Sequence, residues 1–173
     1  KAQSYFFVAR PGKTRWITSG RRASHPHWSP KADRIVFTAV DGSTTNLYTF
    51  APDGGSVTAL TQHADDVQVL SPRISPNGDQ VAFTRFEPGG SLDLVVLDLP
   101  SGKERRVTAG AAGDQRPLWS ADGSRLFFTS ARNADAVPNL YTVPATGSES
   151  DVECMTDVGE AIFAVDVHPD SGY

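Results

Sequence analysis

The sequence predicts an all-β protein built from β-propeller blades of four antiparallel strands, with essentially no helix. A pattern of short apolar segments repeats along the chain at intervals of 46, 45 and 48 residues. The 15 glycines and 12 prolines punctuate it too often for long helices. Apolar residues alternate or run in fours and fives, which is not helical spacing. Four short strands per period of about 45 residues is typical of a propeller blade. A β-sandwich would not explain why the same series of segments recurs in the same order.

The first strand of each unit ends in a short motif that leads into a hairpin. The copies are Trp28-Ser29-Pro30, Ile74-Ser75-Pro76, Trp119-Ser120-Ala121 and, weakly, Val167-His168-Pro169. The turns Asn77-Gly78-Asp79 and Asp122-Gly123-Ser124 carry residues that tolerate positive φ, whereas the first unit has Lys31-Ala32-Asp33 there. Because one position accepts Trp, Ile and Val, we expect Trp28 and Trp119 to be core residues between adjacent blades.

The second, third and fourth strands follow in the same order in each unit. The second strand carries Phe37, Phe83 or Phe128, preceded by Val36, Ala82 or Phe127, and we expect both faces to be buried. The third strand begins near Asn46, Asp93 or Asn139, whose side chains are expected to cap a turn. A glycine-bearing turn follows at 53–55, 101–102 or 146–147, and the unit closes on Leu60-Thr61, Val107-Thr108 or Met155-Thr156.

The repeated pattern P-x-W-S-P-x-G, I-x-F-T, N/D-L-Y, L-T resembles the TolB-like, WD40-like (PD40) β-propeller repeat. The same kind of repeat occurs in the propellers of tricorn-type and prolyl-oligopeptidase-family peptidases. The resemblance covers essentially the whole chain and implies the fold much more strongly than the function, because propellers host unrelated activities. It also implies a periplasmic or otherwise extracytoplasmic bacterial setting.

The repeat divides the chain into one propeller segment. The expected parts are a half blade at 1–20, full blades at 21–62, 63–110 and 111–157, and the first strand of a further blade at 158–173. Propellers close with about four to eight blades, and an open arc exposes strand edges. We therefore expect the partners to include the remaining blades of a longer chain or a second copy of this one.

Composition and motifs argue against several function classes. The net charge of −4 and the scattered basic residues predict no nucleic-acid partner, and no apolar stretch is long enough for membrane insertion. The single Cys154 excludes an intramolecular disulfide. Gly12-Lys13-Thr14 lacks the upstream glycine of a phosphate-binding loop, and no Gly-x-Ser-x-Gly motif occurs. No cofactor and no catalytic residue are predicted.

The histidines of the stretch His25-Pro26-His27 are the one feature that suggests a metal site. They occur in a single unit, aligned with Ser71 and Arg73 in the second unit and with Arg116 and Leu118 in the third. The repeat therefore does not need them, and no second cluster has metal-ligand spacing. The sequence predicts no metal site and places His25 at the entry to the innermost strand, beside the central channel.

Function is expected on the loops around the channel mouth. The loops between blades and those between second and third strands emerge on one face, where binding residues concentrate. The candidate binding residues are Arg21, Arg22, His25, His63, Asp65, Asp66, Gln68, Asp114, Gln115, Arg116 and Glu160. Charges of both signs suit a protein or peptide partner. The leading hypothesis is a non-enzymatic binding scaffold of the bacterial envelope. The alternatives are a substrate-gating propeller of a serine peptidase, and a propeller lyase or hydrolase that uses channel-mouth histidines and carboxylates.

Overall fold

The computed structural model describes residues 7–10, 13–16, 22–52, 56–163 and 166. These residues form three four-stranded antiparallel sheets and a separate two-stranded hairpin. Their only helical segment is a single 3-10 turn, Glu149–Asp151. The all-β prediction with four-stranded blades is confirmed. Arg21, the glycine-bearing turn at 53–55 and the fourth copy of the motif at 167–169 lie outside the described residues.

The strands of each sheet follow one another in chain order. The hairpin consists of β1 (Phe7–Arg10) and β2 (Lys13–Trp16). The first blade contains β3 (Arg22–Trp28), β4 (Ile35–Asp41), β5 (Thr44–Phe50) and β6 (Thr58–Ala59). The second contains β7 (Gln68–Ile74), β8 (Gln80–Phe86), β9 (Leu92–Asp98) and β10 (Glu104–Arg106). The third contains β11 (Gln115–Trp119), β12 (Arg125–Ser130), β13 (Asn139–Pro144) and β14 (Glu153–Cys154).

The blades stack face to face through the side chains of their second strands. Val36 of the first blade and Phe83 of the second belong to one buried cluster. Ala82 and Phe128 repeat that relation between the second and third blades. Neighbouring residues of a strand point to opposite faces, so each strand contributes to two interfaces. The buried apolar runs predicted for these strands are confirmed, and burying each phenylalanine contributes about 1.5–3 kcal/mol.

The threonine that closes each unit accepts a hydrogen bond from the third strand of its own blade. The donors are backbone N–H groups: Leu47 to Thr61 at 2.9 Å, Leu94 to Thr108 at 2.9 Å, and Leu140 to Thr156 at 3.0 Å. The first two bonds are buried. A buried N–H without a partner is costly, which explains why this position of the repeat requires a hydroxyl group.

The asparagines at the start of the third strand act over a longer range than a local cap. The Asn46 Oδ1 atom accepts hydrogen bonds from the Thr61 hydroxyl at 2.8 Å and from the His63 backbone N–H at 2.7 Å. Asn139 makes the same kind of bonds to Thr156 and Val158. These amides therefore tie the third strand to the loop that leads to the next blade, where only a turn cap was expected.

The two tryptophans of the repeat differ in burial. Trp119 is 7% exposed, and its indole Nε1 donates to the Arg73 carbonyl of the preceding blade at 2.9 Å. Trp28 is 47% exposed, so its prediction as a core residue is wrong. Among the described residues, only the β1–β2 hairpin precedes β3, so no described innermost strand offers Trp28 a carbonyl such as that of Arg73.

The turn between β3 and β4 contains a residue with a strained backbone, and glycine at that position would remove the strain. Ala32 has a φ of 56°, at the position where the other two blades have Gly78 and Gly123. All three backbone N–H groups close the same turn onto a serine carbonyl, at 2.8–2.9 Å. Because a side chain disfavours the left-handed region, Ala32→Gly is expected to raise the free energy of unfolding by about 1 kcal/mol.

Chemical denaturation of the Ala32→Gly variant would test this. The matched variant Gly123→Ala should lose a similar amount, since Gly123 has a φ of 73° and its added Cβ would be only in ordinary contact with Pro76. A loss of stability in Ala32→Gly would show that this turn is not strained.

Candidate functional site

The innermost strands β3, β7 and β11 share a bulge that sets the shape of the site. Their pairing with the second strands shifts register between Ser24 and His27, and at the equivalent places in β7 and β11. The residue before the proline has a positive φ in each: His25 at 52°, Ser71 at 49° and Arg116 at 56°. A bulge re-aims side chains and often lies beside a functional site. The irregularity recurs in all three described blades and is therefore a built feature of this surface.

Two layers of side chains from successive blades line a groove along these strands. His25, Ser71 and Arg116 contribute to a cavity of about 370 Å³. An adjoining cavity of about 680 Å³ is lined by the residues that stand two positions further along the repeat. These residues are His27, Arg73, Leu118 and Asp166. Arg73 and Leu118 line both cavities. We call this surface the inner wall and define it by His25, His27, Ser71, Arg73, Arg116 and Leu118.

The inner wall is basic although the chain as a whole is acidic. The strands β3, β7 and β11 carry five basic side chains and no aspartate or glutamate. Four of them belong to the inner wall, namely His25, His27, Arg73 and Arg116, and the fifth is Arg22. Asp166, from the segment after the third blade, is the acidic side chain that lines the groove among the described residues.

The two histidines of the wall are held neutral near pH 7. Burial, with Arg73 nearby, lowers the pKa of His27 to about 4. Its Nδ1 atom lies 3.2 Å from the Ile74 backbone N–H and accepts a hydrogen bond from it, which a protonated ring could not do. Burial and Arg73 also lower the pKa of His25. The arginines therefore supply the wall's positive charge.

His27 is expected to make stability depend on pH. Its pKa is about 4 in the folded protein, below the ordinary value of 6.5, so the unfolded chain binds more protons between those pH values. The free energy of unfolding should therefore rise with pH across that window, and its histidine-dependent part should be lost as the pH falls.

Urea denaturation at several pH values between about 4 and 7 would test this expectation. His27→Gln should flatten the slope, because glutamine does not titrate. An unchanged slope would show that His27 has an ordinary pKa in the folded protein.

The structure brings only part of the predicted mouth together. His25 and Arg116 line the same cavity, with Ser71 and Arg73 between them in chain order. Arg22 and Gln115 begin β3 and β11 and are exposed, and neither lines the groove. Arg21 lies outside the described residues.

His63 and Asp114 lie elsewhere, each paired with a charged side chain of its own blade. The His63 Nε2 atom is 3.2 Å from a carboxylate oxygen of Glu104, on the outermost strand β10. Asp114, directly before β11, is completely buried, and both its carboxylate oxygens accept hydrogen bonds at 2.8 Å from Arg132, in the loop after β12 of the same blade. Neither residue lines the groove that His25 and Arg116 line.

The other predicted residues lie in the loops between blades or at the start of an innermost strand. Asp65 and Asp66 are exposed in a turn with positive φ. Gln68 is the first residue of β7, and its side chain donates to the Ser43 carbonyl, in the turn between the second and third strands of the first blade, at 2.7 Å. Glu160 is exposed. None of the four lines the groove.

Sequence reasoning missed Arg73, the charged residue among the two that line both cavities. The repeat alignment already placed it level with His27 and Leu118. The missing information was the bulge, because one extra residue changes which side chains share a face. The recurring residue–proline pair in all three innermost strands was the available signal.

The described residues offer no cluster suited to a metal ion. Nowhere in these ranges do three or more histidine, cysteine, aspartate or glutamate side chains come together in a suitable way. His25 and His27 line different cavities and bond to different partners: the Thr38 hydroxyl lies 3.3 Å from His25 Nδ1, and the Ile74 backbone N–H donates to His27. Within the same described part of the chain, no helix has the length and apolarity to cross a membrane.

Comparison with known proteins gives relatives that are much longer than this chain. It is 25% identical to the "Uncharacterized peptidase YuxL" of Bacillus subtilis strain 168 over 119 residues, which are 65% of this chain and 18% of that protein. It is 34% identical to "Tricorn protease homolog 1" of Streptomyces coelicolor over 106 residues, 61% of this chain and 9% of that protein. The chain thus spans less than a fifth of these two relatives.

A solved structure and a family match agree on the fold. The "putative TolB from Agrobacterium tumefaciens" superposes with a TM-score of 0.75 at 20% sequence identity. The match covers 93% of this chain and 58% of that one. Residues 65–171 match the family described as the TolB beta propeller domain, PD40. The chain belongs to the TolB beta propeller domain family.

Proposed function

We propose that this chain is a non-enzymatic propeller segment that binds a protein or peptide along the inner wall. The observation that carries this proposal is the groove itself. Side chains from three successive blades converge on it, and it combines the arginines Arg73 and Arg116 with the apolar Leu118. A concave surface with apolar contacts and a few directed polar groups suits a linear ligand.

The proposed setting is extracytoplasmic, in the bacterial envelope. This part of the proposal rests on the resemblance to TolB, whose name is carried by solved relatives from Agrobacterium tumefaciens and Acinetobacter baumannii. Further blades from a longer chain, or from a second copy, would complete the channel that these three blades begin.

Selection of peptides from a random phage-displayed library on the immobilised protein would test the binding role. Selected peptides should bind the wild-type protein and lose about tenfold or more in affinity when Leu118→Trp fills the groove. The control is Lys103→Trp, an exposed position in the turn before β10. Peptides that bind both variants equally, or a selection that yields none, would contradict the proposal.

The second candidate is a propeller domain that gates access to a peptidase. Two relatives are named as peptidases or proteases, which favours it. The sequence of the full gene product would separate the two. A hydrolase domain with a Gly-x-Ser-x-Gly motif in the same polypeptide would support gating and contradict the simple scaffold.

A further inference from the structure

We propose that the inner wall recognises an acidic peptide, with Arg73 binding a carboxylate side chain and Arg116 binding a main-chain carbonyl. This inference rests on the peptide-binding function proposed above and names the chemistry of the ligand. It follows from the charges on the wall and from Phe163 and Asp166, which line the two cavities.

The charge distribution selects an anionic ligand. Positive charge on β3, β7 and β11 has no acidic side chain on the same strands to neutralise it. Arg73 is half-buried between the two cavities, where its own guanidinium donates to the Pro72 carbonyl at 3.0 Å. Electrostatic attraction is stronger at such a site than on an open surface, because less water screens it.

The chain itself provides an example of the contacts. An Arg116 Nη1 group donates to the Phe163 main-chain carbonyl. Three residues further on, Asp166 lines the cavity of about 680 Å³ with Arg73. Burial lowers the pKa of Arg73, while Asp166 acts in the opposite direction, as a nearby carboxylate should. A carbonyl and a carboxylate three residues apart therefore match the two arginines.

The apolar lining favours a peptide over a polymeric anion. Leu118 lines both cavities, Phe127 lines the first and Pro26 lines the second. Nucleic acid would need a series of phosphate contacts, and this wall offers two arginines. An acidic oligosaccharide is the rival ligand with the same charge.

The probe is a fluorescein-labelled peptide with the sequence of residues 161–167, Ala-Ile-Phe-Ala-Val-Asp-Val. A matched probe has asparagine in place of the aspartate. Fluorescence anisotropy should show that the aspartate probe binds about tenfold more tightly. Added salt should weaken binding of the aspartate probe and narrow this difference, because salt screens the ion pair.

Three variants test whether Arg73 binds the aspartate side chain of the probe. Arg73→Gln should weaken binding of the aspartate probe about tenfold and abolish the preference over the asparagine probe. Asp166→Asn should strengthen binding, because the chain's own carboxylate no longer competes for Arg73. Arg34→Gln, in the turn between β3 and β4, should leave the binding of both probes unchanged. Circular dichroism of each variant identifies any that fails to fold, and Asp166→Asn still tests the proposal because it predicts a gain.

Several outcomes would overturn the inference. Equal binding of the two probes, or unchanged binding by Asp166→Asn, would show that no carboxylate is recognised. If library-selected peptides bind at Leu118 but neither probe does, the acidic class is wrong while the peptide-binding function stands. If an oligomer of galacturonic acid binds through Arg73 and the peptides do not, the ligand is a sugar.

Discussion

Replacing Asp114 with alanine is expected to lower the free energy of unfolding by about 3 kcal/mol. The carboxylate is fully buried and accepts two hydrogen bonds from Arg132, whose side chain is 18% exposed. Removing it leaves a cation mostly out of water, and the remaining ion pair of Arg132 with Glu149 at 2.7 Å compensates only in part. The loss should therefore fall at the lower end of the range for broken buried pairs.

Urea denaturation followed by circular dichroism would measure this loss. Asp135→Ala is the control, because this exposed carboxylate lies in the same loop region as Arg132. It should change stability by less than about 0.5 kcal/mol. Equal, small effects from both substitutions would show that the buried Asp114–Arg132 ion pair contributes little to stability.

Trp119→Ala should cost about 3–5 kcal/mol, whereas Trp28→Ala should cost less than about 1 kcal/mol. Trp119 is buried in the cluster between the second and third blades and donates a hydrogen bond to Arg73. Trp28 occupies the same repeat position but is 47% exposed. The two substitutions remove the same side chain, so the difference measures the packing of the neighbouring blade.

The unfolding free energies of the two variants, determined side by side, would test this contrast. Similar large losses would mean that Trp28 is covered in solution by another blade, from this chain or from a second copy. That outcome would contradict the exposure of Trp28 described above.

The blades could be predicted because their signal repeats. Phe37, Phe83 and Phe128 recur at one place in the period, and each is buried as expected. Burial of Trp28 could not be read from the same period, because it depends on a neighbouring blade rather than on the residue itself. Repetition establishes which side chains point toward the preceding blade, and it does not establish what lies there.

The candidate site was less predictable for a different reason. Asp114 resembles a surface loop residue, and only the position of Arg132, 18 residues later, shows that it forms a buried ion pair. His63 likewise finds its partner on β10. Arg73 lies on the wall because a bulge precedes it, and strand alternation alone gives no indication of a bulge. Long-range contacts and local backbone irregularity therefore determine which side chains line the candidate site.

Amide hydrogen exchange with and without the acidic peptide tests most directly whether the inner wall is the binding surface. We predict slower exchange in β7 and β11, which carry Arg73 and Arg116, and unchanged exchange in the outermost strands β6, β10 and β14. Protection confined to the outermost strands or to the loops between blades would contradict this account.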